Sequence, residues 1–364
     1  MHHPELTIRS VRARAVDAPL ANPIRTAVGE VPSAPLVLID VTTEEGVTGR
    51  SYLFAYTPVT LRSLVRLIED LEPELVGRSV SPIERMRQLD MRFRLVGRQG
   101  LIGMVVGALD MALWDALAIA AGVPLATLLG SAPRPLRAYN SCGLGLMSPE
   151  AAADEAERLL EGGFQAMKLR LGHASLSEDL AATRAVRKRL PDSVLVMADY
   201  NQALSVAQAL ERGRALQSEG VTWLEEPIRH DDYRGNAQIA RALELPLQLG
   251  ENFNGPLDME KALDAAACDL VMPDIARIGG VTGWMQAARI AEQRGMPMSS
   301  HLMPEASAHV MAATPTSDWL EYVDWADVLL QEPLRIQNGY AVMSDRPGAG
   351  LQWDARAVAK HRLD

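Results

Sequence analysis

From Leu136 to Val323 the chain alternates short apolar runs with helical patterns, one pair roughly every 25 residues. The runs are Arg137–Ser141, Ala166–Leu171, Val194–Asn201, Thr222–Pro227, Leu247–Asn252, Leu270–Ile275, Met298–Leu302 and Trp319–Val323. Seven helical patterns separate them. Ser148-Pro149-Glu150 gives the first of these an N-cap, a proline at its first position and an acidic first turn. Repeated β-then-α units argue for a parallel sheet. Eight strands in this length fit a closed (β/α)7β TIM-type barrel better than an open doubly wound sheet. No GxGxxG fingerprint follows a first strand to support the open sheet. The expected class is α/β.

The stretch before the barrel has a different texture. Leu6–Val16 and Pro35–Thr42 are β-branched and partly alternating, and Gly46-Val47-Thr48-Gly49 marks a turn before a short strand at Ser51–Phe54. Helical patterns follow near Pro58–Leu75, Pro82–Phe93 and Leu101–Ala121. Residues 1–130 therefore read as an α+β block and 131–323 as the barrel. The loop-rich 324–364 is expected to return to the N-terminal block. Leu101–Leu129 is the most apolar long stretch, but Asp110 and Asp115 within it mark a buried helix of a soluble protein, with no membrane partner. A net charge of −10 argues against a nucleic-acid partner, because neutralising phosphates needs a basic face. The start, Met1 to Glu5, lacks the pattern of a signal peptide, and two cysteines, Cys142 and Cys268, imply no disulfide framework. A cytoplasmic location is the simplest expectation.

Asp199, Glu225 and Glu251 close three consecutive runs at equal intervals of 26 residues. In a barrel that interval is one βα unit, so the three carboxylates converge at the C-terminal mouth. Like charges repel there unless a hard cation neutralises them, and Mg2+ suits a few carboxylates with open water positions. Lys168 and Arg170, two apart in the second run, point the same way, and a bound anion explains such cations better than packing does. Asp274 ends the sixth run, His301 the seventh, and Glu321 lies in the eighth. A histidine beside an aspartate is held in one tautomer with raised basicity. A desolvated Glu321 could stay protonated and donate to a substrate oxygen. Singly, each of these side chains reads as a solvated or structural group; their common phase gives them meaning. Removing a proton beside a carboxylate creates an enediolate. Only positive charge and donors placed in advance lower that barrier, and a divalent ion, Lys168 and a protonated Glu321 would supply them. The expected partner is a small-molecule carboxylate.

Several stretches resemble the enolase superfamily and, within it, the mandelate racemase subgroup along nearly the whole chain. They are Pro35–Asp40, Ser51–Pro58, Asp199–Gln202, Gly220–Pro227, Ile278–Trp284 and Pro297–Leu302. The resemblance implies a capping domain over the barrel and Asp199, Glu225 and Glu251 as magnesium ligands. It puts Lys168 and Glu321 at the substrate carboxylate, Asn201 near the metal oxygens and Ser141 at the pocket floor. The His301–Asp274 pair becomes the base for one face, and Glu226 points to the other side of its strand. Ile24 and Val31 on a capping loop, with Phe54, Tyr56 and Leu95, would wall the substrate's side chain; Asn22, Arg25, Glu30 and Arg98 could still supply polar contacts. A homo-oligomer is implied as well.

One position departs from the pattern. Arg170 stands where the racemase carries a second lysine as its second base, and a guanidinium holds its proton to a pKa above about 12. Whole-chain likeness and the apolar wall rank racemisation of a 2-hydroxy acid with an apolar or aromatic side chain slightly first. Dehydration of a hydroxy acid or acid sugar, with His301 as base and acid, is the alternative. A non-catalytic carboxylate-binding barrel comes third.

Overall fold

The computed structural model describes residues 5–363; Met1–Pro4, which belong to the start that lacks a signal-peptide pattern, and Asp364 lie outside them. The N-terminal block is a three-stranded antiparallel sheet, β1 (Ile8–Thr26), β2 (Gly29–Thr43) and β3 (Thr48–Phe54), in that order. Its strands run well past the expected ends. The segment anticipated as a capping loop is the far end of the β1–β2 hairpin, where Ile24 pairs with Val31 and Thr26 with Gly29. The Thr26 hydroxyl accepts the Val28 and Gly29 N–H groups and fixes the turn. Prolines 19, 23 and 32 break the alternation that marks a strand in sequence, and the ladder absorbs them with a register shift between Pro19 and Ile24.

Helices α1 (Pro58–Leu75), α2 (Pro82–Arg92), α3 (Leu101–Ala120) and the single turn α4 (Leu125–Leu128) follow. α3 is long and apolar enough to cross a membrane, with mean hydropathy 1.7 in its most apolar window, yet 78% of that window is buried inside the protein. Its two acids explain why a core helix carries charge. Asp110 accepts from the Thr282 N–H and hydroxyl, and Asp115 from the N–H groups of Arg50 and Ala349. Burial raises both to about 7.

The barrel strands are β4 (Leu136–Asn140), β5 (Ala166–Arg170), β6 (Leu195–Asp199), β7 (Val221–Glu225), β8 (Leu247–Leu249), β9 (Leu270–Val271) and β10 (Leu320–Tyr322). The helices between them are α5 (Pro149–Arg158), α6 (Leu176–Arg189), α7 (Val206–Gln217), α8 (Tyr233–Ala242), α9 (Pro256–Asp264), α10 (Gly280–Arg294) and α11 (Pro304–Ala312). β4 to β9 pair in chain order and in parallel, and β10 pairs in parallel with β4. The seventh run, Met298–Leu302, forms no continuous strand. It joins β9 and its exit through the bridges Val271–Met298 and Asp274–His301, and joins the eighth run through Asp318 N to Met298 O and Ser300 N to Trp319 O, both 3.0 Å. Serine hydroxyls take over part of the ladder: Ser299 Oγ accepts from Trp319 N–H and Ser300 Oγ from Glu321 N–H. The ring thus returns to its first strand. Tyr139, Ala166, Met197, Trp223 and Trp319 form a separate apolar cluster inside it, with the Tyr139 and Trp223 rings edge to face at 5.6 Å.

The last segment reaches both parts of the molecule. β11 (Arg335–Gln337) and β12 (Tyr340–Val342) form a hairpin whose second strand pairs with β4. Beyond it, Trp353 Nε1 donates to Asp40 of β2, and α12 (Ala355–His361) packs on β1.

Candidate active site

Asp199 and Glu225 end β6 and β7 as register partners, and Glu251 lies two residues past β8. One oxygen from each lies within 4.8 Å of the others, and all three residues are buried. Lys168, pointing inward from β5, stands 2.7 Å from Glu225 Oε1, 2.7 Å from Glu321 Oε1 and 3.4 Å from Asp199 Oδ2. Burial disfavours its charge, but Glu225 and Glu321 outweigh that and hold the ammonium firmly protonated. Burial in turn pushes Glu225 up to about 8. Asp199, Glu225 and Glu321 thus flank a single ammonium, and Glu251 lies beside the first two. Three carboxyl groups that converge within 4.8 Å form an all-oxygen donor set, which suits a hard divalent ion. Glu226 faces away from this cluster and accepts the Gly250 N–H at 3.0 Å.

His301 Nδ1 is 3.0 Å from Asp274 Oδ2. Asp274 Oδ1 accepts the N–H groups of Ala276 and Arg277, so the carboxylate cannot turn away. With Nδ1–H committed to Asp274, Nε2 is the basic nitrogen, and it lies 3.3 Å from Glu251 Oε2. Burial opposes protonation of this ring, but Glu251 and Glu321 prevail and raise it to about 9. Glu321 departs from expectation. Burial favours the neutral acid, yet Lys168, His301 and the Leu302 N–H lower it to about 2, so it is a carboxylate that accepts and does not donate.

Arg170 is buried, and its contacts are neutral oxygens. It donates to Gly143 O at 2.5 Å, Ser141 Oγ at 3.1 Å and Ser141 O at 3.4 Å, and among the described residues it forms no ion pair. Ser141 thus lies behind Arg170 as its anchor.

A cavity of about 220 Å3 opens between the hairpin end and the barrel mouth. Ile24, Val31, Phe54 and Tyr56 line it from the N-terminal block; Lys168, Arg170, Asp199, Asn201, Glu251, His301 and Glu321 line it from the barrel. Glu225 and Asp274 sit behind that wall. Leu95 does not line it: the residue is 100% exposed on the loop after α2, where nothing packs against it. Arg25 and Glu30 face solvent, and Arg98 pairs with Asp90, so none of these three lines the cavity. Sequence reasoning missed Thr26, Gln202, Asn252, Arg277 and Trp325, all of which line it. Trp325, from the C-terminal segment, packs its ring at a tilt against Phe54, centroids 4.7 Å apart. Arg277 left a signal, three residues past Asp274, as did Gln202 at the end of the Asp199–Gln202 stretch and Asn252 beside Glu251. Non-glycine residues with positive φ gather at this mouth: Tyr56, Asn201, Gln202, Leu302 and Met303, at 62°, 45°, 67°, 51° and 44°. Backbone held in that region marks a site whose geometry is imposed by its surroundings.

A parallel barrel whose mouth gathers buried carboxylates, a lysine and an aspartate-held histidine over one small pocket has the make-up of an α/β-barrel enzyme. The chain belongs to the mandelate racemase / muconate lactonizing enzyme family of the enolase superfamily. Residues 8–130 match that family's N-terminal domain, and residues 151–357 match the enolase C-terminal domain-like family. An enolase from the alphaproteobacterium bal199, with magnesium bound, superposes with a TM-score of 0.97 at 44% identity, over 98% of this chain and 100% of that one. A Bradyrhizobium enolase complexed with magnesium and mandelic acid gives 0.94 at 44% identity, over the whole of both chains. The L-talarate/galactarate dehydratase of Salmonella typhimurium is 31% identical over 79% of this chain and 73% of its own length.

Proposed function

We propose that this protein is a magnesium-dependent enzyme that removes the proton alpha to the carboxylate of a small hydroxy acid, with His301 as its single base, and completes turnover by expelling a β-hydroxyl. Arg170 carries the single-base part. Its guanidinium is anchored to Ser141 and Gly143 oxygens, where it can bind a substrate oxygen but cannot exchange a proton. Asp199, Glu225 and Glu251 would hold the metal, whose charge makes the α proton acidic enough to remove and stabilises the enediolate. Lys168 adds a fixed positive charge beside the same oxygens.

His301 Nε2 takes the α proton, and the C–H electrons move into the carboxylate. As they return, the β C–O bond breaks, and the departing hydroxyl takes the proton back from Nε2 and leaves as water. The enol that remains becomes a 2-keto acid. The base must be neutral for the first step. The charges of Glu251 and Glu321 raise His301 in the structure, and committing Glu251 to a cation removes the first of them.

The sequence ranks racemisation first. The committed donors of Arg170 and the polar share of the pocket, from Thr26, Gln202, Asn252 and Arg277, support dehydration instead. Similarity to an acid-sugar dehydratase agrees with that. Racemisation is supported by the apolar wall and by the relative that binds mandelic acid. A panel of 2-hydroxy acids and acid sugars, followed by NMR in heavy water, separates the two. Dehydration gives a 2-keto acid from an acid sugar. Deuterium entering both enantiomers of a mandelate-type acid, with no keto acid from any sugar, would return the protein to the racemases. His301→Asn should slow α-proton removal by about 10²–10⁴-fold while magnesium still binds; undiminished turnover would remove His301 as the base.

A further inference from the structure

Arg277 takes no step in the mechanism above, yet it contacts Asp274, Asn252 and Tyr56 at once. Its backbone N–H donates to Asp274 Oδ1 at 3.0 Å, and the other oxygen of that carboxylate holds His301. Its Nη1 donates to Asn252 Oδ1 at 3.0 Å, and Asn252 Nδ2 donates to Glu251 Oε1 at 3.1 Å. Glu251 Oε2 is the oxygen that faces His301 Nε2. On the far side, the guanidinium carbon lies 4.3 Å over the ring of Tyr56, a residue of the N-terminal block. Arg277 forms no ion pair among the described residues, and its Nε is buried without a partner. A structural arginine would normally find a carboxylate; this one is aimed at an amide.

The consequence lies in the amide's direction. An asparagine side chain can present either its oxygen or its nitrogen to Glu251, and the oxygen would repel that carboxylate. A cation fixed on Oδ1 makes the reversed amide unfavourable, polarises the group and strengthens its N–H toward Glu251. Groups of this kind around a metal ligand typically change metal affinity 10–100-fold when removed. Tyr56 covers the guanidinium's open face, so the block above the barrel helps to set the ligand below it.

We infer that Arg277 is a positioning residue: through Asn252 it orients the Glu251 carboxylate for the metal, and Tyr56 holds it in place. The inference rests on the metal site proposed above. Its test is magnesium binding to the purified full-length chain by isothermal titration calorimetry, with no substrate present. Wild-type protein that takes up no magnesium overturns the metal site itself. Given wild-type binding, Arg277→Met and Asn252→Ala should each weaken it about 10–100-fold, and the double variant should be little weaker than either single one. Tyr56→Leu should weaken binding by more than twofold but less than those variants, although it touches no ligand. Circular dichroism and melting temperature identify variants that have lost their fold. Should Arg277→Met fail to fold, Asn252→Ala and Tyr56→Leu carry the test. Folded variants that bind magnesium within twofold of wild type overturn the inference, as do losses that add independently in the double variant.

Discussion

Two-sided proton exchange needs a second group that can shed a proton, and at Arg170 the chain offers a guanidinium tied to Ser141 and Gly143. Arg170→Lys restores a group that can lose its proton when desolvated. The variant should exchange the α proton of a 2-hydroxy acid on both faces where the wild type exchanges on one, read as deuterium in both enantiomers by NMR. If exchange stays one-sided in a folded variant, the arginine is not what limits the enzyme to one face. At this scale the sequence was legible wherever a strand end fixed the phase. Asp199, Glu225 and Glu251 follow from their 26-residue intervals because the pleat and the barrel repeat are regular. The charge state of Glu321 was not legible, since it depends on Lys168 arriving from β5 at 2.7 Å, a distance no spacing encodes. Leu95 failed for the opposite reason: apolar character suggests a wall, but only packing decides whether a wall is there.

Among the elements, α3 does most to hold the N-terminal block against the barrel, and it comes close to the loop that carries Asp274 and Arg277. At Gly107 a side chain would start 2.0 Å from the carbonyl oxygen of Ala276. Gly107→Ala must therefore push that loop away, and should cost about 1–3 kcal/mol in urea unfolding; an unchanged midpoint would mean that the two elements are not locked together. α11 makes a different kind of contact. Its buried His309 accepts the Ala126 N–H of α4 through Nδ1, and burial lowers the ring to about 4. The unfolded chain, near 6.5, binds this proton first, so the stability linked to a neutral His309 is whole above about 6.5 and drains away as pH falls toward 4. Over that window the wild type should lose about 3 kcal/mol more than His309→Asn; parallel stability curves would show that the ring does not titrate. The elements themselves were largely legible from periodicity. The broken ladder of the seventh run and the extent of the hairpin were not. Ser299 and Ser300 replace ladder bonds with hydroxyls in the first, and prolines obscure the alternation of the second.

Across the whole molecule, the buried Asp199, Glu225 and Glu251 converge on one point, and their mutual repulsion adds to the burial that raises Glu225. A divalent ion bound only by the native state stabilises it by mass action, by about 2.7 kcal/mol at a concentration 100-fold above its dissociation constant. For a chain of 364 residues that corresponds to a rise of a few degrees in melting temperature. Magnesium should produce that rise in protein first stripped with a chelator, and the chelator should reverse it. Site binding must be told apart from screening, because a net charge of −10 will attract any divalent cation weakly. Two controls do so. The rise should persist in 150 mM sodium chloride, where surface attraction is largely screened. It should also vanish in Asp199→Asn, which removes one of three oxygens within 4.8 Å of each other but only one of 46 acidic side chains. An equal rise in that variant would mean that the ion answers to the surface charge, and that the carboxylates at the mouth of the barrel do not act together.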